Sequence, residues 1–147
     1  DLSMAALSVA RLNAERLGLR ERICLVQGSC LESLAGEGIL QAVVSNPPYI
    51  PAREMATLPR EVLAHEPAAA LTCGPEGLEV TRQVIADAAR TLAAGGCLAM
   101  EIHPHTADRV LALFRRREWG GLSVRRDLAG LNRVVTAIRR ERSSRRG

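Results

Sequence analysis

Aromatic side chains are almost missing from this chain: Tyr49, Phe114 and Trp119 are the only three in 147 residues. The core must therefore be aliphatic, and any aromatic ring that stays near a surface carries more information than usual. Lysine is missing altogether, so all 20 basic residues are arginine. Charge of one sign is also lacking over most of the length. Residues 1–138 balance 15 Arg against 15 Asp and Glu, and the excess of +4 comes from the five Arg and one Glu of residues 139–147. A neutral body argues against a dedicated nucleic-acid surface, which neutralises many phosphates. No run of 18 apolar residues exists to span a bilayer, and no signal-peptide pattern is visible. The four cysteines, Cys24, Cys30, Cys73 and Cys97, form no Cys-x-x-Cys pair, so no zinc site is expected and a reducing compartment is the simple inference.

The length suits one domain with a real core. Apolar residues at helical spacing predict an amphipathic helix over 3–17, with Met4, Leu7, Ala14 and Leu17 on its apolar face, Ser3 as N-cap and Gly18 as stop. Residues 23–26 and 41–45 read as short strands, the second of them buried, and 29–38 as loop. Four prolines divide 50–75 into loops and short helices. A second helix is predicted over 78–93, with Leu78, Val84 or Ile85, Ala88 and Leu92 on one face and Gly95-Gly96 ending it. Strands follow at 97–102, 122–126 and 133–138, with a helix at 105–117 between the first two. Alternating strands and helices give an α/β class with a mainly parallel sheet, whose ligands bind at the C-terminal ends of the strands. Asp1, Ser29, Asn46 and Glu101 fall at or near such ends. Residues 1–138 are expected to form the domain, and 139–147 a basic, disordered tail.

The most informative segment is Ser45-Asn46-Pro47-Pro48-Tyr49-Ile50-Pro51. An amide or exocyclic amine nitrogen is planar and a poor nucleophile, because its lone pair is delocalised. Two acceptors, the Asn46 side-chain oxygen and the Pro47 carbonyl oxygen, can take both of its N–H groups. They orient the nitrogen toward an electrophile and stabilise the positive charge that develops on it. Two prolines stiffen the loop that presents these acceptors, and Tyr49 offers a flat face to a flat group. The chemistry needs neither a metal nor a nucleophilic side chain.

Asn-Pro-Pro-Tyr after a strand resembles the substrate motif of Rossmann-like methyltransferases that act on amino groups. Further blocks narrow the resemblance: Asp1-Leu2-Ser3, Glu66-Pro67-Ala68-Ala69-Ala70-Leu71, Gly74 with Gly77-Leu78, Gly95-Gly96 with Glu101, and Asp127-Leu128-Ala129-Gly130 with Arg133. Together they resemble the C-terminal, catalytic part of the release factor glutamine methyltransferases, up to about Arg139. The resemblance implies a class I methyltransferase sheet with helices on both faces, its first strand and Gly-rich cofactor loop lying upstream of Asp1. It implies S-adenosylmethionine as methyl donor and the glutamine of the Gly-Gly-Gln motif of class-1 release factors as acceptor. Carried over, Asn46, Pro47, Pro48 and Tyr49 hold the glutamine amide. Asp1 binds the ribose hydroxyls, Ser29 and Cys30 lie on the adenine side, and Asn46 borders the methionine end. Gly28-Ser29-Cys30 departs from the Asp-aromatic pair of many members. The alternatives are an adenine or guanine amino methyltransferase and an inactive remnant. The expected partner is a release factor, with no membrane and no direct nucleic-acid contact. The protein is expected as a monomer in the cytoplasm, with a plastid or mitochondrion as the alternative. His103 and His105 are expected as loop or cap residues, and Asp127 and Arg133 as a structural pair.

Overall fold

The computed structural model describes residues 1–72 and 74–141. The chain divides into two compact units, Asp1–Ala35 and Gly36–Gly147.

The first unit is built around helix α1, Met4–Arg16. Its start is set by Ser3, whose Oγ accepts the Ala6 N–H at 3.2 Å, and its end by Gly18 at φ +67°. The anticipated apolar face is not buried. Only Ala14 is enclosed, while Met4 and Leu17 are 58% and 71% exposed. Caps and local bonds, rather than burial, hold this helix. Residues 23–26 are not a strand, although Ile23 has extended dihedrals. A ladder needs a run of facing backbone. Here the pairing is with Asp1: its amino group donates to Val26 O, and its carbonyl accepts the Gly28 N–H, both at 3.1 Å.

The second unit holds a four-stranded sheet in the order β1-β2-β4-β3, with β1 at Leu40–Ser45, β2 at Leu92–Glu101, β3 at Trp119–Arg126 and β4 at Asn132–Arg139. Only the β1–β2 pairing is parallel; β2–β4 and β3–β4 are antiparallel, so the sheet is mixed. Register places Leu98 opposite Ala137 and Met100 opposite Val135, and all four are fully buried. Each such side chain larger than alanine contributes roughly 1.5–3 kcal/mol. β1 is not the buried strand anticipated. It lies at the sheet edge, paired to β2 alone among the described residues, so only Val43 is buried and Val44 is 83% exposed.

Helix α4, Glu79–Thr91, follows the short helices α2 (Arg60–His65) and α3 (Ala68–Leu71) and contacts β1 and β2. Its anticipated face is buried throughout: Leu78, Val84, Ile85, Ala88 and, at its exit, Leu92. Its cap residue, Leu78, has no side-chain acceptor, and the Glu79 carboxylate substitutes by accepting the N–H groups of Glu76 at 3.1 Å and Leu78 at 2.9 Å. Burial pushes this carboxyl up, but those bonds, with help from Arg82, hold it below its ordinary value. Gly95-Gly96 do not end α4. The helix stops at Thr91, and the glycines lie inside β2, where the register jumps from Leu40–Leu92 to Ala42–Cys97. Gly95 takes φ +80° in that irregularity.

The anticipated helix over 105–117 is shorter. A 3-10 turn, Pro104–Thr106, leads into α5, Ala107–Leu111, after which bonds from Leu113 N–H to Val110 O and Phe114 N–H to Leu111 O tighten the chain into turns. Phe114 and Trp119 meet edge to face, with centroids 5.5 Å apart, and both are buried. The basic segment expected from residue 139 starts inside the fold. Arg139 ends β4 and is buried, and Arg140 Nε donates to Trp119 O at 2.9 Å. Residues 142–147 of that expected tail, and Cys73, lie outside the described residues.

Candidate active site

With Phe114 and Trp119 consumed by the core, Tyr49 is the one aromatic left at a cleft. β1 ends at Ser45, opposite Met100 of β2, so the parallel register delivers Asn46 beside Glu101 at the C-terminal ends of two adjacent strands. From there Asn46, Pro47, Pro48 and Tyr49 line a cavity of about 220 Å³. Its other wall is Ile50, Glu66, Ala70 and Leu71. Thus the Asn-Pro-Pro-Tyr and Glu-Pro-x-x-Ala-Leu blocks converge on one space. Ile50 N–H donates to Leu71 O at 3.0 Å, and Ile50 bridges Thr72, which pins the two segments together. The volume is below the 300–1,000 Å³ typical of pockets for drug-sized ligands and suits a single side chain. Pro47 is buried, while Asn46 is exposed.

Tyr49 is held from behind. Its hydroxyl donates to Glu101 Oε1 at 3.2 Å, and its ring is tilted against His103 with centroids 6.0 Å apart. Burial and the neighbouring Glu101 carboxylate raise the phenol above its ordinary value, against the opposing effect of Arg133, so it remains protonated. Burial, then the nearby His105, lowers His103, which favours the neutral ring. His103 also caps the following turn, its Nδ1 accepting the His105 N–H at 3.4 Å. Arg133 is anchored by Asp127, with Nε and Nη2 both 3.0 Å from Oδ2, while Oδ1 accepts the N–H groups of Ala129 and Leu131. The expected structural pair is present. Tyr49 is thus a half-buried, protonated phenol backed by the Glu101 carboxylate. Glu101, named from sequence only as a strand-end position, and Ile50, Ala70 and Leu71, named only within motifs, are brought to the site by the structure. The position of Glu101 at a strand end was the available signal. His65 is exposed at the end of α2 and does not line the cavity.

The residues expected to face a cofactor fall mainly in the first unit. Asp1 and Gly28 are joined by backbone, which brings Asp1 close to Ser29 and Cys30. The Asp1 carboxylate is exposed, and its Oδ1 accepts the Ser3 N–H at 2.7 Å. That bond fixes the direction of the carboxylate, which is an acceptor. Ser29 N–H donates to Glu32 Oε1 at 3.1 Å. Cys30 is exposed and sits at φ +47°, in the left-handed region. Asn46, the fourth of these residues, belongs to the second unit. Among the described residues, no cluster of three or more His, Cys, Asp or Glu is placed to hold a metal, and no helix is long and apolar enough to cross a membrane.

No protein-family model matches the chain. Curated relatives do. A release factor glutamine methyltransferase of Gloeobacter violaceus is 44% identical over 145 residues, covering 98% of this chain and 50% of that protein. One from Deinococcus radiodurans is 43% identical over 139 residues, covering 95% and 48%. A ribosomal protein uL3 glutamine methyltransferase of Neisseria gonorrhoeae is 46% identical over 114 residues, covering 78% and 37%. The chain spans about half the length of the curated relatives it matches. Among solved structures, a predicted O-methyltransferase from Agrobacterium tumefaciens superposes with a TM-score of 0.62 at 18% identity, over 97% of this chain and 61% of that one. The Mtq2–Trm112 complex of E. cuniculi, described as responsible for methylation of the eRF1 translation termination factor, gives 0.54 at 22%, over 88% and 69%. These structures share the fold of this chain, a Rossmann-like α/β arrangement. Over nearly all of its length, the chain is homologous to the C-terminal part of the release factor glutamine methyltransferase family.

Proposed function

We propose that this chain carries the acceptor site of an S-adenosylmethionine-dependent protein-glutamine N5-methyltransferase, and that its acceptor is the glutamine of the Gly-Gly-Gln motif in class-1 release factors. The supporting observation is the convergence of Asn46-Pro47-Pro48-Tyr49 with Glu66, Ala70 and Leu71 on a cavity sized for one side chain. The Asn46 side-chain oxygen and the Pro47 carbonyl accept the two amide N–H groups of the glutamine. They fix the nitrogen and stabilise the positive charge that develops on it. Pro48 stiffens the loop, and Tyr49, held by Glu101, lies against the amide plane. Bound S-adenosylmethionine supplies an electrophilic methyl group. In the first unit, Asp1 accepts from its ribose hydroxyls, and Ser29 and Cys30 face its adenine. The release factor is then the partner. The protein acts as a monomer where translation occurs, in the cytoplasm or alternatively in a plastid or mitochondrion.

A second acceptor has support of its own, because the Neisseria relatives are named for the glutamine of ribosomal protein uL3. One assay separates the two. The N-terminal half of the Gloeobacter relative is joined ahead of Asp1, and the chimera receives labelled S-adenosylmethionine with either acceptor protein. The release factor is supplied intact or with its tip glutamine changed to alanine, and the label is located by peptide mass spectrometry. Label on the intact release factor only is expected, with Asn46→Ala slowing transfer about 10²-fold or more. Label on uL3 alone selects the second acceptor. Cofactor binding without transfer to either protein overturns the glutamine assignment and leaves nucleic-acid amino groups.

A further inference from the structure

A second cavity in the second unit, about 740 Å³, is distinct from the Asn-Pro-Pro-Tyr site. One wall is a stripe of α4. Arg82, Ala86, Ala89 and Arg90 recur at helical spacing, which sets the two arginines about 12 Å apart along the axis. The facing wall is the turn after α5, with Leu113, Arg115, Arg117 and Glu118. Arg139 ties the walls together: its Nε donates to Ala89 O at 2.7 Å and its Nη1 to Glu118 O at 2.9 Å. The width is thus fixed by a buried cation whose acceptors are neutral carbonyls, one of them near the C-terminus of α4, where a cation is favoured.

Charge and floor together define what fits. Five arginines line the cavity against one glutamate. Arg115 and Arg117 share Glu118 at 3.8 and 3.5 Å, and their side chains remain 69% and 75% exposed. Arg82, paired to Glu76 at 2.8 Å, is 50% exposed. Between these rims the lining is aliphatic: Ala86, Ala89 and Leu113, with the edge of Ile85. Phosphate backbones make no use of an aliphatic floor, and the lining offers no ring on which a base could stack. Guanidinium groups pair with carboxylates in fork geometry, and an aliphatic strip between them takes up apolar side chains. We propose that this groove docks an acidic, amphipathic segment of a protein partner, with carboxylates on the arginine rims and aliphatic side chains on the floor. β4 runs antiparallel to β2, so Arg139 lies beyond the Ile138–Cys97 pair, at the end of β2 opposite Glu101. A partner seated there leaves the Tyr49 site open.

The test uses the full chain and a fluorescein-labelled helical peptide with Leu at helical spacing and Glu between, followed by anisotropy. Binding is expected, and Arg115→Glu with Arg117→Glu weakens it about tenfold or more. Ala86→Glu, at an exposed floor position, weakens it comparably, while Arg116→Glu, outside the lining, changes it little. The proposal is overturned if the peptide does not bind, or if polyglutamate without leucines binds equally well. It is also overturned if the charge reversals leave affinity unchanged, or if duplex RNA of matched charge binds more tightly at the same salt.

Discussion

Tyr49 and Glu101 are 52 residues apart in sequence, and their hydrogen bond is the contact on which the geometry of the site turns. A hydrogen bond to a charged acceptor is worth about 1.5–3 kcal/mol, enough to hold a ring in one orientation. If its role is to position Tyr49 against the glutamine amide, the two residues act as a unit. Tyr49→Phe and Glu101→Ala in the chimera are then each expected to lower kcat about tenfold, and the double variant is expected to be no slower than the worse single one. Multiplying effects in that cycle would mean that Tyr49 and Glu101 contribute separately. That Asn46, Pro47 and Tyr49 would face one space was legible in the sequence because they are local, two acceptors and a ring on a stiffened loop of four residues. Glu101 could not be assigned its role in that way, since its partner is set by the β1–β2 register.

At the scale of the elements, the loop that carries the site is shaped by a glycine far from it in sequence. Gly77 has φ +70°, and a Cβ there would fall 2.6 Å from Tyr49 O and 3.0 Å from Pro51 N. Gly130 has a similar φ of +79° but open space around it. An L-residue in the left-handed region costs about 1–2 kcal/mol in either place. Gly130→Ala is expected to cost that much in urea denaturation, and Gly77→Ala distinctly more, because backbone must also move. The Gly77 variant should further lose transfer activity, while the Gly130 variant retains it. Equal costs would show that the approach to Tyr49 relaxes freely. The elements that sequence predicted best share one property, which is that local pattern and tertiary burial agree. α4 is the clearest case, with its apolar face wholly enclosed. Residues 23–26 and 41–45 have equally good strand patterns. One lacks a ladder and the other lies at an edge, since a pattern of apolar residues cannot specify which neighbour is present. Gly95-Gly96 misled for a related reason: glycine marks a break in regularity, and here the irregularity belongs to β2 rather than to the helix end.

For the whole molecule, the open edge of β1 is the decisive feature. Among the described residues β1 pairs with β2 alone and Val44 is 83% exposed, and an edge strand offers its backbone groups to a further strand. No Gly-x-Gly-x-x-Gly turn occurs in the sequence to cradle the cofactor, and Leu2, Met4 and Val9 of the first unit are more than half exposed. The 147-residue chain alone is therefore expected to bind S-adenosylmethionine weakly, because its sequence offers no such glycine-rich turn. In titration calorimetry the chimera with the Gloeobacter N-terminal half should bind at least about tenfold tighter, a gain of about 1.4 kcal/mol. Amide exchange along residues 40–45 should slow in the chimera as the edge of β1 acquires a partner. Equal affinities would mean that the residues of this chain already suffice for the cofactor. Tighter binding without slower exchange would place the added contacts elsewhere than at the edge of β1.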